Sequence, residues 1–196
     1  VIQDGRNGPA LWDALIEAVG MPGTVVAGGC LRDFLLGLEP KDIDIFVPLK
    51  SEYEVLALCW RLNEAGMFDL RMLNPQAART SGAEEDYDEA FGKQLWGVLD
   101  GEGLGVPVNI IARCSHEGGI DALVESFDFD VVQFWYSGAG ATGAGSAAYA
   151  AIFERTATIT HDNTLDLSRR RFERFDKRNP GVLRLVDPFV LEFDDL

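Results

Sequence analysis

Residues Val25 to Pro48 read "VVAGGCLRDFLLGLEPKDIDIFVP", and this stretch decides the fold. An apolar segment runs into Gly28-Gly29, turns at once into Arg32-Asp33, and is followed by two aspartates spaced two apart in a second apolar run. A packed core would gain stability from apolar residues at Asp42 and Asp44, so the carboxylates have another use. In a strand side chains alternate faces, which puts Asp42, Asp44 and Phe46 on one face and Ile43, Ile45 and Val47 on the other. The two carboxylates then sit roughly 6–7 Å apart along the backbone, from a rise of about 3.3 Å per residue. Unpaired, they repel each other and raise each other's pKa. A hard divalent cation removes that repulsion, and Mg²⁺ typically takes one or two carboxylates together with substrate phosphates. Gly28-Gly29 lies between a strand and a helix start, where bare N–H groups and the helix dipole favour an anion. Glycine there lets a phosphate approach without a Cβ in the way. Taken singly, a Gly-Gly after a strand is usually a turn and an Asp-x-Asp a solvated strand edge; their conjunction carries the information.

Working outward, "GPALWDALIEAV" places Leu11, Leu15, Ile16 and Val19 at helical spacing behind Pro9. "TVVA" reads as a short buried strand, "CLRDFLLGL" as a helix ended by Gly37, and "DIDIFV" as a strand. "SEYEVLALCWRLNEAG" is a helix with Ser51 as N-cap and Glu54 completing a capping box. "FDLRML" and "KQLWGVLD" read as strands on either side of a polar stretch from Asn74 to Glu89. Within it, "AEEDYDEAF" (83–91) is expected to be a solvated loop or an exposed helix start. "VPVNIIARC" is a strand, "GIDALVESF" a short helix, and "FDFDVVQFWY" another strand. "SGAGATGAGSAAYAA" (137–151) suggests a mobile loop running into a helix. "DLSRRRFERFDKR" is a helix stopped by Asn179-Pro180-Gly181. Strands and helices mix without a strict βαβ period, which predicts an α+β chain with a mixed sheet flanked by helices. The expected organisation is a core over residues 1–136, with a Gly/Ala-rich connector and a basic helix packed on it over residues 137–196.

The chain has 196 residues, is 47% hydrophobic, and carries 12 Phe and 4 Trp, enough for a packed core. No run of 18 or so uncharged apolar residues exists, so no transmembrane helix is expected. "VIQDGRNGPALWDAL" lacks a basic segment followed by an apolar one, so no signal peptide is expected either. Cys30, Cys59 and Cys114 are odd in number and widely spaced, which predicts reduced thiols and a cytoplasmic setting. With only His116 and His161 besides, no zinc constellation follows from local spacing. The net charge of −15 repels a phosphate backbone, so no extended DNA is expected as a partner. The exception to that charge is Asp166 to Arg178, which holds Arg169, Arg170, Arg171, Arg174, Lys177 and Arg178. Phe172 and Phe175 mark its packed face. These cations could contact a triphosphate, stack on a base or grip an RNA acceptor, or simply neutralise the protein's own acidic surface.

"GGCLRDFLLGLEPKDIDIFV" resembles the signature of class II nucleotidyltransferases of the DNA polymerase beta superfamily, as in CCA-adding enzymes and bacterial poly(A) polymerases. Their order of Gly-Gly, Arg-Asp on a helix, Leu-Gly, a Pro, and Asp-x-Asp on the next strand is present throughout. The resemblance implies the nucleotidyltransferase fold and transfer of a nucleoside monophosphate from an NTP to a hydroxyl, with release of pyrophosphate. It implies that Gly28 and Gly29 hold the triphosphate and that Asp42 and Asp44 bind Mg²⁺ (or Mn²⁺) as catalytic carboxylates. Arg32 and Asp33 would brace the loop, with Arg32 a candidate phosphate contact and a structural ion pair as the alternative; Arg171 and Arg174 are the nucleotide contacts offered by the basic helix.

The superfamily supplies a third carboxylate from a later strand, and here Asn109 in "VPVNIIA" stands at that place. An amide oxygen can ligate Mg²⁺, but the amide carries no charge and cannot act as a general base. Three alternatives follow: another acid serves, Asn109 suffices, or the site binds nucleotides without turnover. Asp128 and Asp130 in "FDFD" are the strongest replacement acids, sharing one strand face by the same period of two, with Phe127 and Phe129 facing the core. Asp100 and Glu102, on a Gly-rich turn, are weaker ones. The combination of "VPVNII", "SFDFDVVQFWYSG" and "SRRRFERFDKR" also resembles uncharacterised nucleotidyltransferase-like proteins of viruses and phages, which would place the chain in a host cytoplasm. The CCA-adding resemblance covers mainly residues 20–50, and those enzymes need further helical domains, so a full CCA-adding enzyme is not expected. The acceptor is open: an RNA end, a small molecule or a protein side chain, and a toxin-like enzyme modifying tRNA or a protein is a further alternative.

Overall fold

The computed structural model describes residues 8–73, 95–113, 119–162 and 165–189. Its centre is a seven-stranded sheet in the order β3-β4-β5-β2-β1-β6-β7. The strands are β1 (Val25–Ala27), β2 (Ile43–Pro48), β3 (Phe68–Leu73), β4 (Leu95–Gly103), β5 (Val106–Arg113), β6 (Phe134–Tyr136) and β7 (Thr142–Ala144). β2 and β5 run parallel and the other neighbours antiparallel. The sheet is therefore mixed and the class α+β, as the sequence predicts.

Alternation sorts the β2 side chains between two cores. Ile43, Ile45 and Val47 join the large cluster with Trp12, Leu15 and Val19 of α1 (Pro9–Val19) and Val55, Leu58 and Leu62 of α3 (Glu52–Glu64). Phe46 points the other way, into a cluster with Val98, Ile111 and Leu123 and Val124 of α4 (Gly119–Glu125). Asp42 and Asp44 belong to that second side. The buried face of α1 includes Trp12, which the spacing argument passed over because Leu11 and Ile16, both only partly buried, satisfy the same period. Ser51 caps α3 by accepting from the Glu54 N–H at 3.4 Å. The Glu54 carboxylate closes the box one residue early, on the Lys50 N–H at 2.7 Å.

Three expectations are corrected. "FDFDVVQFWY" is a strand only over Phe134–Tyr136; before it the chain makes a single bridge from Phe129 to Ile159 and a 3-10 turn over Asp130–Val132. The Phe-Asp alternation imitates a strand, but Phe129 is buried in one core while Phe127 packs between that core and a second, and Asp130 turns onto backbone amides. Asp100 and Glu102 lie within β4, not on a turn. The Gly/Ala stretch is also not a loop throughout, since Thr142–Ala144 pairs with β6 and extends the main sheet. A Cβ on Gly143 would lie 2.4 Å from the Trp135 indole, and one on Gly145 2.3 Å from the Gln133 amide oxygen. These glycines admit side chains from the neighbouring strand.

α5 (Ala148–Glu154), the parallel pair β8 (Thr156–Thr158) and β9 (Arg184–Val186), and α6 (Leu165–Arg178) build a smaller core. Phe129, Val131, Ala151, Ile159, Phe175 and Leu183 are buried there. α6 ends at Arg178, ahead of Asn179-Pro180. Cys30 and Cys59 are free thiols. Cys114, His116 and the acidic stretch 83–91 lie outside the described residues. Among the described residues no helix is long and apolar enough to cross a membrane.

Candidate functional site

The site begins where β1 ends. Gly28 has φ +88 and caps α2 (Gly29–Leu36), a backbone state that side chains with a Cβ rarely adopt. A Cβ there would stand 3.9 Å from Asp44 Oδ2 and 3.7 Å from the Phe127 ring, so the N-terminus of α2 opens beside the β2 carboxylate. Gly29 is less constrained: its Cβ would meet only the Arg32 guanidinium, at an ordinary 3.5 Å.

Asp44 and Asn109 are register partners on the parallel strands β2 and β5. The Asn109 Nδ2 donates to Asp44 Oδ1 at 3.0 Å and to Asp42 Oδ2 at 3.2 Å, clamping both carboxylates. Desolvation, followed by repulsion from Asp42, pushes the Asp44 carboxyl up to about 7, against the Asn109 hydrogen bond and the charges of Lys41 and Arg171. Lys41 reaches Asp42 at 3.1 Å from an exposed position. The same register continues outward: Asn109 faces Asp100 on β4, and Asp100 faces Arg71 on β3, which it binds at 2.9 Å. A polar row thus crosses four strands on the carboxylate face, with its third acid one strand beyond Asn109. The sequence offers Asp100 but hides this row, because register is not local.

α6 closes the site from the side. Arg171 Nη1 binds Asp128 Oδ2 at 3.0 Å, and the Ser168 hydroxyl donates to the same oxygen at 3.2 Å. Asp128 therefore anchors the arginine whose charge reaches Asp44. Asp130 is separate in function: its Oδ1 accepts the N–H of Val131 at 2.7 Å and of Thr158 at 2.8 Å, pinning the 3-10 turn to β8. Arg174 lies exposed on α6. Arg32 turns toward α6, bound to Asp33 Oδ1 at 2.6 Å and stacked 4.1 Å from the centre of the Phe175 ring. Asp33 is buried, and desolvation raises its carboxyl above the usual range despite Arg32. Burial, with the Asp44 charge next, holds the Cys30 thiol protonated well above its ordinary value.

The donor set fits a hard cation. Two carboxylates and an amide oxygen are oxygen ligands of the kind Mg²⁺ accepts alongside water and phosphate. Asn109 would have to release its Nδ2 contacts and present Oδ1. No group of three or more His, Cys, Asp or Glu side chains suited to a metal occurs among the described residues, so the set depends on the amide or on ligands from a substrate.

A family model described as Gabija anti-defense 2 family protein matches residues 11–166. Among solved structures, a CCA-adding enzyme in complex with CTP is similar over 92% of this chain and 41% of its own, with TM-score 0.62 and 19% identity. The Thermotoga maritima CCA-adding enzyme complexed with tRNA matches over 94% of this chain and 41% of its own, with TM-score 0.59 and 19% identity. A tRNA nucleotidyltransferase with a primer tRNA and an incoming ATP analogue matches over 89% and 46%, with TM-score 0.56 and 14% identity. At these identities the likeness is one of fold, and the chain has the nucleotidyltransferase fold. It spans about two-fifths of the length of the first two of these structures. No curated protein sequence matches.

Proposed function

This chain belongs to the Gabija anti-defense 2 family, and we propose that it is a cation-dependent nucleotidyltransferase used by a phage, in the host cytoplasm, against that defence. It transfers a nucleoside monophosphate from an NTP to a hydroxyl acceptor. The acceptor oxygen forms a bond to the α-phosphorus as the bond to the β-phosphate oxygen breaks, pyrophosphate leaves, and the hydroxyl proton is released to solvent. The observation that carries the reading is the meeting of Asp44, Asp42 and Asn109 with the open N-terminus of α2 at Gly28.

In this reading Gly28, Gly29 and the first N–H groups of α2 receive the triphosphate. Asp42 and Asp44 hold Mg²⁺ or Mn²⁺, with Asn109 Oδ1 completing the protein's donors. A bound divalent cation polarises phosphoryl oxygens and stabilises the leaving pyrophosphate. Arg171, fixed by Asp128, and Arg174 meet the nucleotide from α6. Arg32 and Asp33 hold α2 against α6 through Phe175, which keeps the phosphate loop and Arg171 in one geometry. Residues 1–136 act as the catalytic core and residues 137–196 as the segment that brings α6 over it.

A second reading, nucleotide binding without turnover, is favoured by Asn109, which has neither charge nor basicity where the superfamily supplies an acid. Equilibrium binding of each NTP with Mg²⁺ or Mn²⁺ to wild type and to Asp42→Asn/Asp44→Asn tests the site. Label transfer from α-labelled NTP then separates the two readings. Cation-dependent binding lost in the double variant supports the site, and label on an acceptor supports transfer. Equal binding by both proteins would remove Asp42 and Asp44 from the account.

A further inference from the structure

The Phe127 ring borders the notch at Gly28. A Cβ built on Gly28 would stand 3.7 Å from Phe127 Cε2 and 3.9 Å from Asp44 Oδ2. The space that the glycine leaves is thus walled by an aromatic edge on one side and by a carboxylate oxygen on the other. The ring packs against both smaller cores and lies 5.6 Å, centroid to centroid, from Phe46, yet it keeps part of its surface open to solvent.

Polar contacts hold the ring in that place. The Phe127 N–H donates to the Val124 carbonyl at 3.0 Å. Its carbonyl accepts from the Thr160 hydroxyl at 2.6 Å and from the buried Gln133 amide at 3.4 Å. The next residue, Asp128, binds Arg171. Consecutive residues therefore bring an apolar ring and, through Asp128, a cation to one site. A wall fixed in advance loses little conformational freedom when a ligand meets it.

The surroundings of Asp44 choose the part of the ligand that the ring receives. Asn109, Asp42 and Arg171 offer polar or charged atoms there, whereas Phe127 offers apolar surface. A nucleoside triphosphate has the same division, a polyanionic end and a ribose and base with apolar faces. With the triphosphate on the N-terminus of α2, the polar neighbours match the phosphates and their cation, and the ring matches the nucleoside.

We propose that Phe127 is the nucleoside-binding wall of the site: the ribose and base of the NTP rest against its ring while the triphosphate lies on Gly28 and the start of α2. The inference rests on the nucleotide reading above. Because the ring carries no hydrogen-bond donor or acceptor, the contact recognises a nucleoside without reading the edge of its base.

Isothermal titration calorimetry with Mg²⁺ compares the four NTPs with inorganic tripolyphosphate, for wild type, Phe127→Leu and Phe127→Tyr. Leucine keeps an apolar side chain between the two cores, and tyrosine keeps the ring. The proposal expects Phe127→Leu to weaken every NTP by about tenfold and to leave tripolyphosphate binding unchanged. Phe127→Tyr should bind both as wild type does. Melting curves check the fold of each variant, and Phe127→Met carries the same expectation if Phe127→Leu does not fold. Equal loss for NTP and tripolyphosphate overturns the proposal, because a ring that only packs the α2 loop would act on both. So does Phe127→Tyr behaving like Phe127→Leu. Wild type that binds no NTP overturns the nucleotide reading and this inference with it, whereas NTP bound equally well by wild type and Phe127→Leu overturns this inference alone.

Discussion

Replacing Asp44 by Asn should stabilise the cation-free protein, although it removes a residue the proposed function needs. In the folded state the Asp44 carboxyl sits at about 7, against about 3.9 in an unfolded chain. A raised carboxyl means that the folded state binds the proton more tightly, so its stability is greatest in acid. That stability falls as pH rises from about 4 to about 7, then levels off. Three pKa units correspond to about 4 kcal/mol at most. Asp44 keeps part of its surface open to solvent, so the effect lies below that bound, on the order of 2 kcal/mol. The amide introduced in Asp44→Asn would still offer an oxygen to the Asn109 Nδ2, so that donor keeps its acceptor. At pH 8 in chelator, Asp44→Asn should therefore melt roughly 4–8 °C above wild type, at about 2–4 °C per kcal/mol for a domain this size. At pH 5 the gap should shrink to roughly a third, since the folded wild type is already protonated there while the unfolded chain is not. Millimolar Mg²⁺ should raise the wild-type midpoint and leave the variant where it was, through linkage to the folded state. Scanning calorimetry at both pH values reads all three quantities. A variant that melts lower than wild type at pH 8, or a gap that fails to narrow in acid, refutes the account of Asp44 as buried, uncompensated charge.

Two further outcomes follow from the packing around the site. Gly143→Ala should destabilise by about 1–3 kcal/mol, because the new methyl overlaps the Trp135 indole; an unchanged urea midpoint would return the Gly/Ala stretch to the status of a flexible connector. A double-mutant cycle between Arg32→Met and Phe175→Leu should give a coupling of about 1 kcal/mol from the stacked guanidinium, and zero coupling would mean that α2 and α6 are held together by burial alone.

What was legible in the sequence was whatever is decided within a few residues. The turn at Gly28, the stop at Gly37 and the alternation of Asp42 to Val47 are local, and all three occur where the sequence puts them. What escaped depends on neighbours distant in the chain. Gly143, Gly145 and Gly101 look like loop glycines, yet each lies where a neighbouring strand crowds the backbone; a Cβ on Gly101 would sit 2.0 Å from the Asp69 carbonyl oxygen. Composition reads such glycines as freedom when they record close approach. The Phe-Asp alternation misled for a related reason. Period two is a strand signal only if partner strands take up the backbone hydrogen bonds, and around Asp130 the aspartate's own oxygen takes up two of the N–H groups. Asn109 was legible as the residue standing where a third carboxylate was expected, but its clamp on both aspartates required the β2–β5 register.

The basic helix bears on the open choice of acceptor. Counted in the sequence it is a run of six cations, enough to suggest a nucleic-acid grip. In the fold Arg171 is paired with Asp128, and Arg169 with Asp187 at 2.7 Å and with Asp166 at 3.7 Å. Arg178 turns its guanidinium back onto the Arg174 carbonyl, and the one arginine of α2 is held between Asp33 and Phe175. Two of the six cations of α6, Arg169 and Arg171, are thus paired with carboxylates of the same chain. The pairing withdraws Arg169 and Arg171 from a continuous basic track for an extended strand, while a compact, highly charged group such as a triphosphate is attracted strongly at short range. With a net charge of −15, screened over about 10 Å at ordinary ionic strength, the chain as a whole repels long nucleic acid. The charge pattern therefore supports an NTP as one substrate, and as the other an acceptor that enters the site alone: a small molecule, a protein side chain or the exposed end of an RNA.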